Sequence, residues 1–282
     1  MSIKNKISDY KTPKAMKYIL VLFAAFFLLG CEKQNESILD QYSTKTIQSI
    51  FEKENTSGCF IIHDFKNNKS LVHNSARLDS AYLPASTFKI INSMIALETG
   101  VIKDEKEIVK WDGKKRFVDA WNRDHNLETG IKYSVVWMYQ ELARKIGKER
   151  MSHWVKKAEY GNRNIGGKID LFWLNGDIRI TANQQIDFLK RLYLNQLPFE
   201  AKNQETVKKI MIVEQNDSYT IRAKTGWAAR VKKQMGWYVG YLENESNVYF
   251  FALNMDIRNS EEAKKRKEIT NKILETLTLK SL

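Results

Sequence analysis

Residues 83–90 read "LPASTFKI", with Ser86 and Lys89 three positions apart in an otherwise apolar stretch. A helical pattern runs from Thr87 to Thr99, and Gly100 stands where a C-terminal cap belongs. At this spacing the hydroxyl and the amine share one helix face, close enough to exchange a proton. A buried ammonium is costly unless paired, yet the nearest acids in the sequence are Asp79 and Glu98. A serine beside such an amine is a nucleophile with its own base. At the helix N-terminus, Ser86 also meets free N–H groups that favour developing negative charge. The same residues equally suit a capping serine and a lysine snorkelling off a core helix, and "SDYK" at 8–11 repeats the spacing. The octapeptide alone leaves both readings open.

Outward from this stretch the periodicity organises the chain. Helical spacing covers Ile38 to Glu54, after which "GCFIIHDF" and "KSLVHNSA" read as two strands joined by a turn at Asn67–Asn68. From the Ser86 helix to about Pro198 the patterns are helical, among them "VVWMYQELARKIG" and a helix opened by the capping box "TANQ" at 181–184. The period then becomes two: "YTIRAKTG", "MGWYVGYLE" and "NVYFFALNMDI" read as three strands, the last two joined by a turn at Asn244 to Ser246. A closing helix runs from Ser260 to Leu277. The expected fold is α/β of the α+β kind. An antiparallel sheet is made from both ends of the chain, flanked by the N- and C-terminal helices, with the helical middle as an inserted lobe.

The 282 residues are 43% hydrophobic with three prolines, which indicates a folded chain. Lys4, Lys6, Lys11, Lys14 and Lys17 precede the apolar run "YILVLFAAFFLLG", too short for a comfortable membrane span, so residues 1–30 read as a secretory signal, with Met1 or Met16 as the start. An uncleaved signal anchor is the alternative, and it exports the domain equally. The run ends in "LLGC", which resembles a bacterial lipobox and makes Cys31 the expected lipidated residue, followed by a tether over 31–37 and one domain over 38–282. The expected location is periplasmic, with the membrane reached only through the lipid. Cys59 is then the only remaining thiol, so no internal disulfide holds the fold. The signal carries five lysines and one aspartate, leaving about +9 of the formal +13 on the rest of the chain. Those bases are scattered through stretches such as "KKRF" and "KKRK", which argues against a nucleic-acid partner. Neither a metal-spaced pair among the four histidines nor a Gly-x-Ser-x-Gly elbow is present, so no metal is expected.

Three further stretches decide what the octapeptide means. "KYSVVW" places Ser134 near a helix start, "KTGW" places Lys224, Thr225 and Gly226 at the end of a strand, and "FWLNG" carries Trp173. A Ser-x-x-Lys nucleophile followed downstream by a Lys-Thr-Gly strand is the pattern of penicillin-recognising serine enzymes. From about Gly58 to Leu277 the chain closely resembles the class D, oxacillinase-type β-lactamases, with "YLPASTFKI", "ALETG", "WDGKKR", "YGN", "FWLNG", "KTGW" and "VYFFALNMDI" in that family's order. It has no Ser-Asp-Asn; Ser134-Val135-Val136 fits the class D Ser-x-Val instead. Where the family often has proline or leucine after "YSVV", this chain has Trp137.

The resemblance implies the β-lactamase/transpeptidase fold and hydrolysis of β-lactam antibiotics, penicillins such as oxacillin among them, with resistance as the outcome. It implies Ser86 as nucleophile and Lys89 as general base, carried as N6-carboxylysine formed with carbon dioxide or bicarbonate and no other cofactor. Burial lowers a lysine pKa by several units, which frees the amine for that reaction. Trp173 would donate its indole N–H to the carbamate, and Val136 would help keep water off it. Ser134 would relay the proton to the lactam nitrogen, with Lys224 beside it. The backbone N–H groups of Ser86 and Trp227 would form the oxyanion hole. Thr225 and Arg266 would hold the substrate carboxylate, and Gly226 would let substrate approach the strand. "YGN" at 160–162 is taken as loop structure near the site. A β-lactam sensor domain and a cell-wall transpeptidase or carboxypeptidase share these motifs and differ in deacylation. The sequence leaves a monomer and a homodimer both open, and does not set the β-lactam spectrum.

Overall fold

The computed structural model describes residues 36–281. The signal, Cys31 and the tether up to residue 35 lie outside the described residues. Ser37, assigned to the tether on sequence, is buried and caps a short 3-10 turn at Ile38–Gln41, and its hydroxyl donates to the buried Asp64 carboxylate.

Six strands form one antiparallel sheet in the order β2-β1-β6-β5-β4-β3. They are β1 (Gly58–Asp64), β2 (Lys69–His73), β3 (Ile212–Gln215), β4 (Tyr219–Ala228), β5 (Met235–Asn244) and β6 (Val248–Asp256). The first two strands come from the N-terminal part and the other four from the C-terminal part, joined where β1 pairs with β6, Phe60 opposite Leu253. The turn between β1 and β2 places Asn68 at φ +50°, a conformation asparagine tolerates well. At the next hairpin Asn244 Oδ1 accepts from the N–H groups of Ser246 and Asn247, 3.0 and 2.9 Å away.

Besides a four-residue helical turn at Ser75–Leu78, the α-helices of the described residues are α1 (Thr44–Lys53), α2 (Lys89–Glu98), α3 (Leu127–Lys132), α4 (Val136–Ile146), α5 (Lys148–Lys157), α6 (Phe172–Asn175), α7 (Ala182–Tyr193), α8 (Ala201–Ile210) and α9 (Glu262–Thr276). The period-two pattern sends alternate strand residues to two cores. Phe60, Ile62, Tyr238, Phe251 and Leu253 pack with Phe51 of α1 and Ile269 and Ile273 of α9. Ile61, Trp237, Val239, Phe250 and Ala252 pack with the helical lobe, including Phe88, Ile91, Trp173 and Leu189. This two-sided cover makes β5 and β6 almost continuously buried.

Four expectations need correction. The helix over 38–54 is two pieces, because Tyr42 and Ser43 are extended. The helix from Thr87 begins as a 3-10 turn, Ala85–Phe88, and becomes α-helical only at Lys89. The Lys-Thr-Gly triplet lies inside β4, with Trp227 and Ala228 continuing the strand, because ladder pairing with β5 extends to Met235 opposite Ala228. Strand β3 was not anticipated: at four residues with an irregular register it gives no usable period-two signal. The "TANQ" box forms as expected, Thr181 Oγ1 accepting from Gln184 N–H and the Gln184 side chain accepting from Thr181 N–H.

Candidate active site

The 3-10 turn at Ala85–Phe88 puts Ser86 at the seam between β4 and the helical lobe. Several contacts hold it there. Trp237 of β5 donates its indole N–H to Leu83 O at 2.9 Å. Thr87 Oγ1 donates to Pro84 O at 2.8 Å and accepts from Gln185 Nε2 of α7 at 3.0 Å. Ala85 takes φ +48°, a left-handed conformation that costs an alanine energy and persists only where its surroundings enforce it. Gly226 of β4 lies directly against the turn: a Cβ there would fall 2.8 Å from Pro84 O and 3.2 Å from Thr87 Cγ2. The need for glycine at 226 is thus the close approach of the nucleophile turn, and not only the access of substrate to the strand.

Lys89 is completely buried, and its Nζ donates to Ser86 Oγ at 2.7 Å. Its other described neighbour of note is the Tyr139 ring, with Nζ 5.3 Å from the centroid. Burial, with the charge of Arg230 second, pushes the amine down to about 7. Trp173 of α6 stacks on Phe88 at a centroid distance of 5.5 Å. It is fully buried, and its indole N–H has no acceptor among the described residues. A buried donor without a partner in the middle of a packed core is expensive, and it calls for an acceptor.

Ser134 sits in the connection between α3 and α4 at φ +55°. The buried Lys224 donates to Ser134 Oγ at 3.0 Å and to Thr225 O at 3.1 Å. Burial, followed by the charges of Lys89, Arg266 and Lys267, holds Lys224 well below the usual lysine range. From α9, Arg266 donates through Nη1 to Gly226 O. Its stem crosses Gly236 so closely that a Cβ there would fall 2.5 Å from Cδ. Burial pushes this guanidinium down to about 10. The "YGN" loop is tied to the strand-like segment after α6, with Asn162 Nδ2 donating to Asp177 O at 2.9 Å and Asn162 Oδ1 accepting from Arg179 N–H at 3.0 Å.

A cavity of about 480 Å³ opens on this group, lined by Ser86, Ser134, Val136, Thr225, Trp227 and Arg266 among others. Lys89, Trp173 and Lys224 lie behind that wall, and Gly226 is bonded into it through Arg266. Sequence reasoning missed Phe117, Val118 and Trp121 from the loop before α3, Leu174 beside Trp173, and Ala229 and Arg230 past β4. The loop before α3 has no period to read, whereas Leu174 lay within "FWLNG" and Arg230 follows "KTGWAA" directly.

Residues 58–275 match the family described as the penicillin-binding protein transpeptidase domain. The chain is 43% identical to the β-lactamase OXA-48 of Klebsiella pneumoniae over 256 residues, covering 91% of this chain and 97% of that one. It is 40% identical to the β-lactamase OXA-10 of Pseudomonas aeruginosa over 257 residues, covering 90% and 97%. Among solved structures it is similar to a class D β-lactamase, YbXI, from Nostoc, with TM-score 0.81 and 48% identity over 82% of this chain and 98% of that one. FUS-1 (OXA-85), the class D β-lactamase of Fusobacterium nucleatum subsp. polymorphum, gives 0.81 and 41% over 84% and 98%. A serine and a buried lysine on one turn, a second serine and lysine across the cavity, and these relatives along nearly their whole length agree: the chain belongs to the class D serine β-lactamases.

Proposed function

We propose that this protein hydrolyses β-lactam antibiotics, penicillins such as oxacillin among them, through an acyl-enzyme on Ser86 with carboxylated Lys89 as general base, and so confers resistance. The observation that carries the mechanism is the completely buried Lys89 amine 2.7 Å from Ser86 Oγ, and the buried Trp173 indole N–H that has no acceptor among the described residues agrees with it. An amine pushed down to about 7 is substantially neutral at physiological pH, the form that takes up carbon dioxide. The resulting carbamate would place an anionic oxygen that can take a proton beside Ser86 Oγ in an apolar pocket.

The remaining steps belong to the chain's own residues. Ser86 Oγ adds to the lactam carbonyl as its proton passes to the base, and backbone N–H groups of Ser86 and Trp227 stabilise the oxyanion. The lactam C–N bond breaks, and Ser134 delivers a proton to the ring nitrogen while Lys224, 3.0 Å away, replenishes it. Arg266 and Thr225 orient the substrate carboxylate. Once the base at Lys89 has passed on the Ser86 proton, with Lys224 recovering the one it supplied, water attacks the ester carbonyl and gives its proton to that base, which returns it to Ser86 Oγ as the ester C–O bond breaks. Val136 and Leu174 on the cavity wall limit the water reaching that base.

A time course of benzylpenicillin hydrolysis, with and without bicarbonate and at enzyme concentrations that reveal a burst, tests this. Sustained turnover that rises with bicarbonate supports it; one equivalent consumed with mass retained on Ser86 would assign the chain to a receptor or a cell-wall enzyme. Export and lipid anchoring at Cys31 are part of the same proposal, supported by the lysine-rich start and "LLGC", and loss of fatty-acid labelling in Cys31→Ser checks them.

A further inference from the structure

The loop 111–122 supplies one wall of the catalytic cavity through Phe117, Val118 and Trp121. It is tied to itself: Arg116 N–H donates to Asn122 Oδ1 at 2.7 Å, Asn122 Nδ2 donates to Arg116 O at 3.0 Å, and the Arg116 guanidinium binds both oxygens of Asp112 at 2.7 and 2.8 Å. Two indoles then fasten it to the helical lobe. Trp137 Nε1 donates to Trp121 O at 2.8 Å, and Trp121 Nε1 donates to Tyr133 O at 2.9 Å, the carbonyl just before Ser134.

Trp137 is 5% exposed and does not line the catalytic cavity. It forms part of the wall of a second cavity of about 590 Å³, and the Arg116 guanidinium lies over its ring, 5.3 Å from the centroid. As the second residue of α4 it occupies a position where a proline is tolerated, so the helix itself does not call for a tryptophan. Proline or leucine at this point offers no donor to the Trp121 carbonyl.

We propose that Trp137 is a positioning residue: by holding the Trp121 backbone it sets the width of the catalytic cavity, and with it the bulk of the acylamino side chain that a β-lactam can bring in. This rests on the β-lactam reading of the site. Trp121 is the residue in contact with substrate, and Trp137 acts only through it.

The test compares oxacillin, whose acylamino group is bulky, with 6-aminopenicillanic acid, which has none. Trp137→Phe keeps the ring and removes the N–H. The expected result is a rise in KM for oxacillin of about threefold to tenfold, the size expected for one hydrogen bond, with KM for 6-aminopenicillanic acid and both kcat values little changed. In a Trp121→Ala background the same substitution is expected to add nothing, because the side chain it positions is gone. Equal losses on both substrates, no change, or additive effects of the two substitutions would overturn the proposal. If Trp137→Phe does not fold, Arg116→Gln, which removes the cation over the ring from the surface side, must shift the oxacillin KM in the same direction; an unchanged KM there also overturns it. A parent protein that turns over neither compound would instead sink the β-lactam reading, and this proposal with it.

Discussion

Lys224 reaches across 90 residues of sequence to donate to Ser134 Oγ at 3.0 Å, joining the sheet to the helical lobe at the point where the proposed mechanism protonates the lactam nitrogen. Replacing Ser134 with alanine leaves Lys224 buried and removes the group that carries the proton. Acylation by benzylpenicillin is expected to slow by about 10² to 10⁴-fold, the usual range for lost acid–base catalysis, read as the burst rate in stopped flow. A variant that acylates at the parent rate would show that Lys224 delivers the proton directly.

The pH profile follows from Lys89. Its amine is pushed down to about 7, so the neutral form grows as pH rises through that value, and kcat/KM should climb on an ascending limb there. Lys89→Met should lose this limb together with at least about 10²-fold of activity, and accumulate acyl-enzyme visible by mass spectrometry.

The same group affects stability in a defined direction. Between about 7 and its ordinary value of 10.5 the unfolded chain holds a proton on Lys89 that the folded chain does not, so the uncarboxylated protein gains stability as pH rises across that window. Below pH 7 both states are protonated and the full cost of burying the charge is present. Lys89→Met should therefore raise the unfolding free energy at pH 6 by about a few kcal/mol, and the thermal midpoint with it, and flatten the pH slope above it. A midpoint that falls would mean that the amine is better solvated than its burial indicates.

Trp173→Phe keeps the stacking on Phe88 and removes the orphan N–H. The expected loss in kcat is about tenfold, recovering in part with added bicarbonate as a weakened carbamate is replenished. Bicarbonate titrations of parent and variant measure it, and superimposable curves would exclude the indole as the carbamate's donor.

Gly226→Ala tests the seam itself. The added methyl meets Pro84 O at 2.8 Å, a backbone atom that cannot swing aside, so the turn carrying Ser86 must move. A cost of about 1–3 kcal/mol in unfolding free energy is expected, with a larger proportional loss in acylation than in stability, since catalysis responds to small displacements. Urea unfolding alongside single-turnover kinetics separates the two.

Much of this was legible before the structure. The five strongly periodic strands and the "TANQ" helix carry their own signals, and Ser86, Lys89, Ser134 and Lys224 stood in short motifs, whereas Arg266 came only from the resemblance, on a helix crowded with lysines. What escaped had no local signature. Strand β3 is too short to show a period, and its pairing with β4 is decided by tertiary contact. The left-handed backbones at Ala85 and Ser134 fall on residues that do not announce them, and are imposed from outside by β4 and by the packing of α3 against α4. Trp121 was hidden because an irregular loop acquires its position from distant hydrogen bonds, here to Tyr133 and Trp137.

The pairing of β1 with β6 has a consequence for when the enzyme comes into being. Phe60 meets Leu253 only after residues 61–252 have been made, and β4 and β5, which cover the turn holding Ser86, are themselves made long after it. Such long-range closure makes folding slow and defers it until β6 has been made. Until then Lys89 is an ordinary, water-exposed, protonated lysine beside an ordinary serine. The reactive pair is a property of the last strands to arrive, so the growing chain carries its nucleophile in a silent form and acquires its chemistry in the same event that completes its sheet.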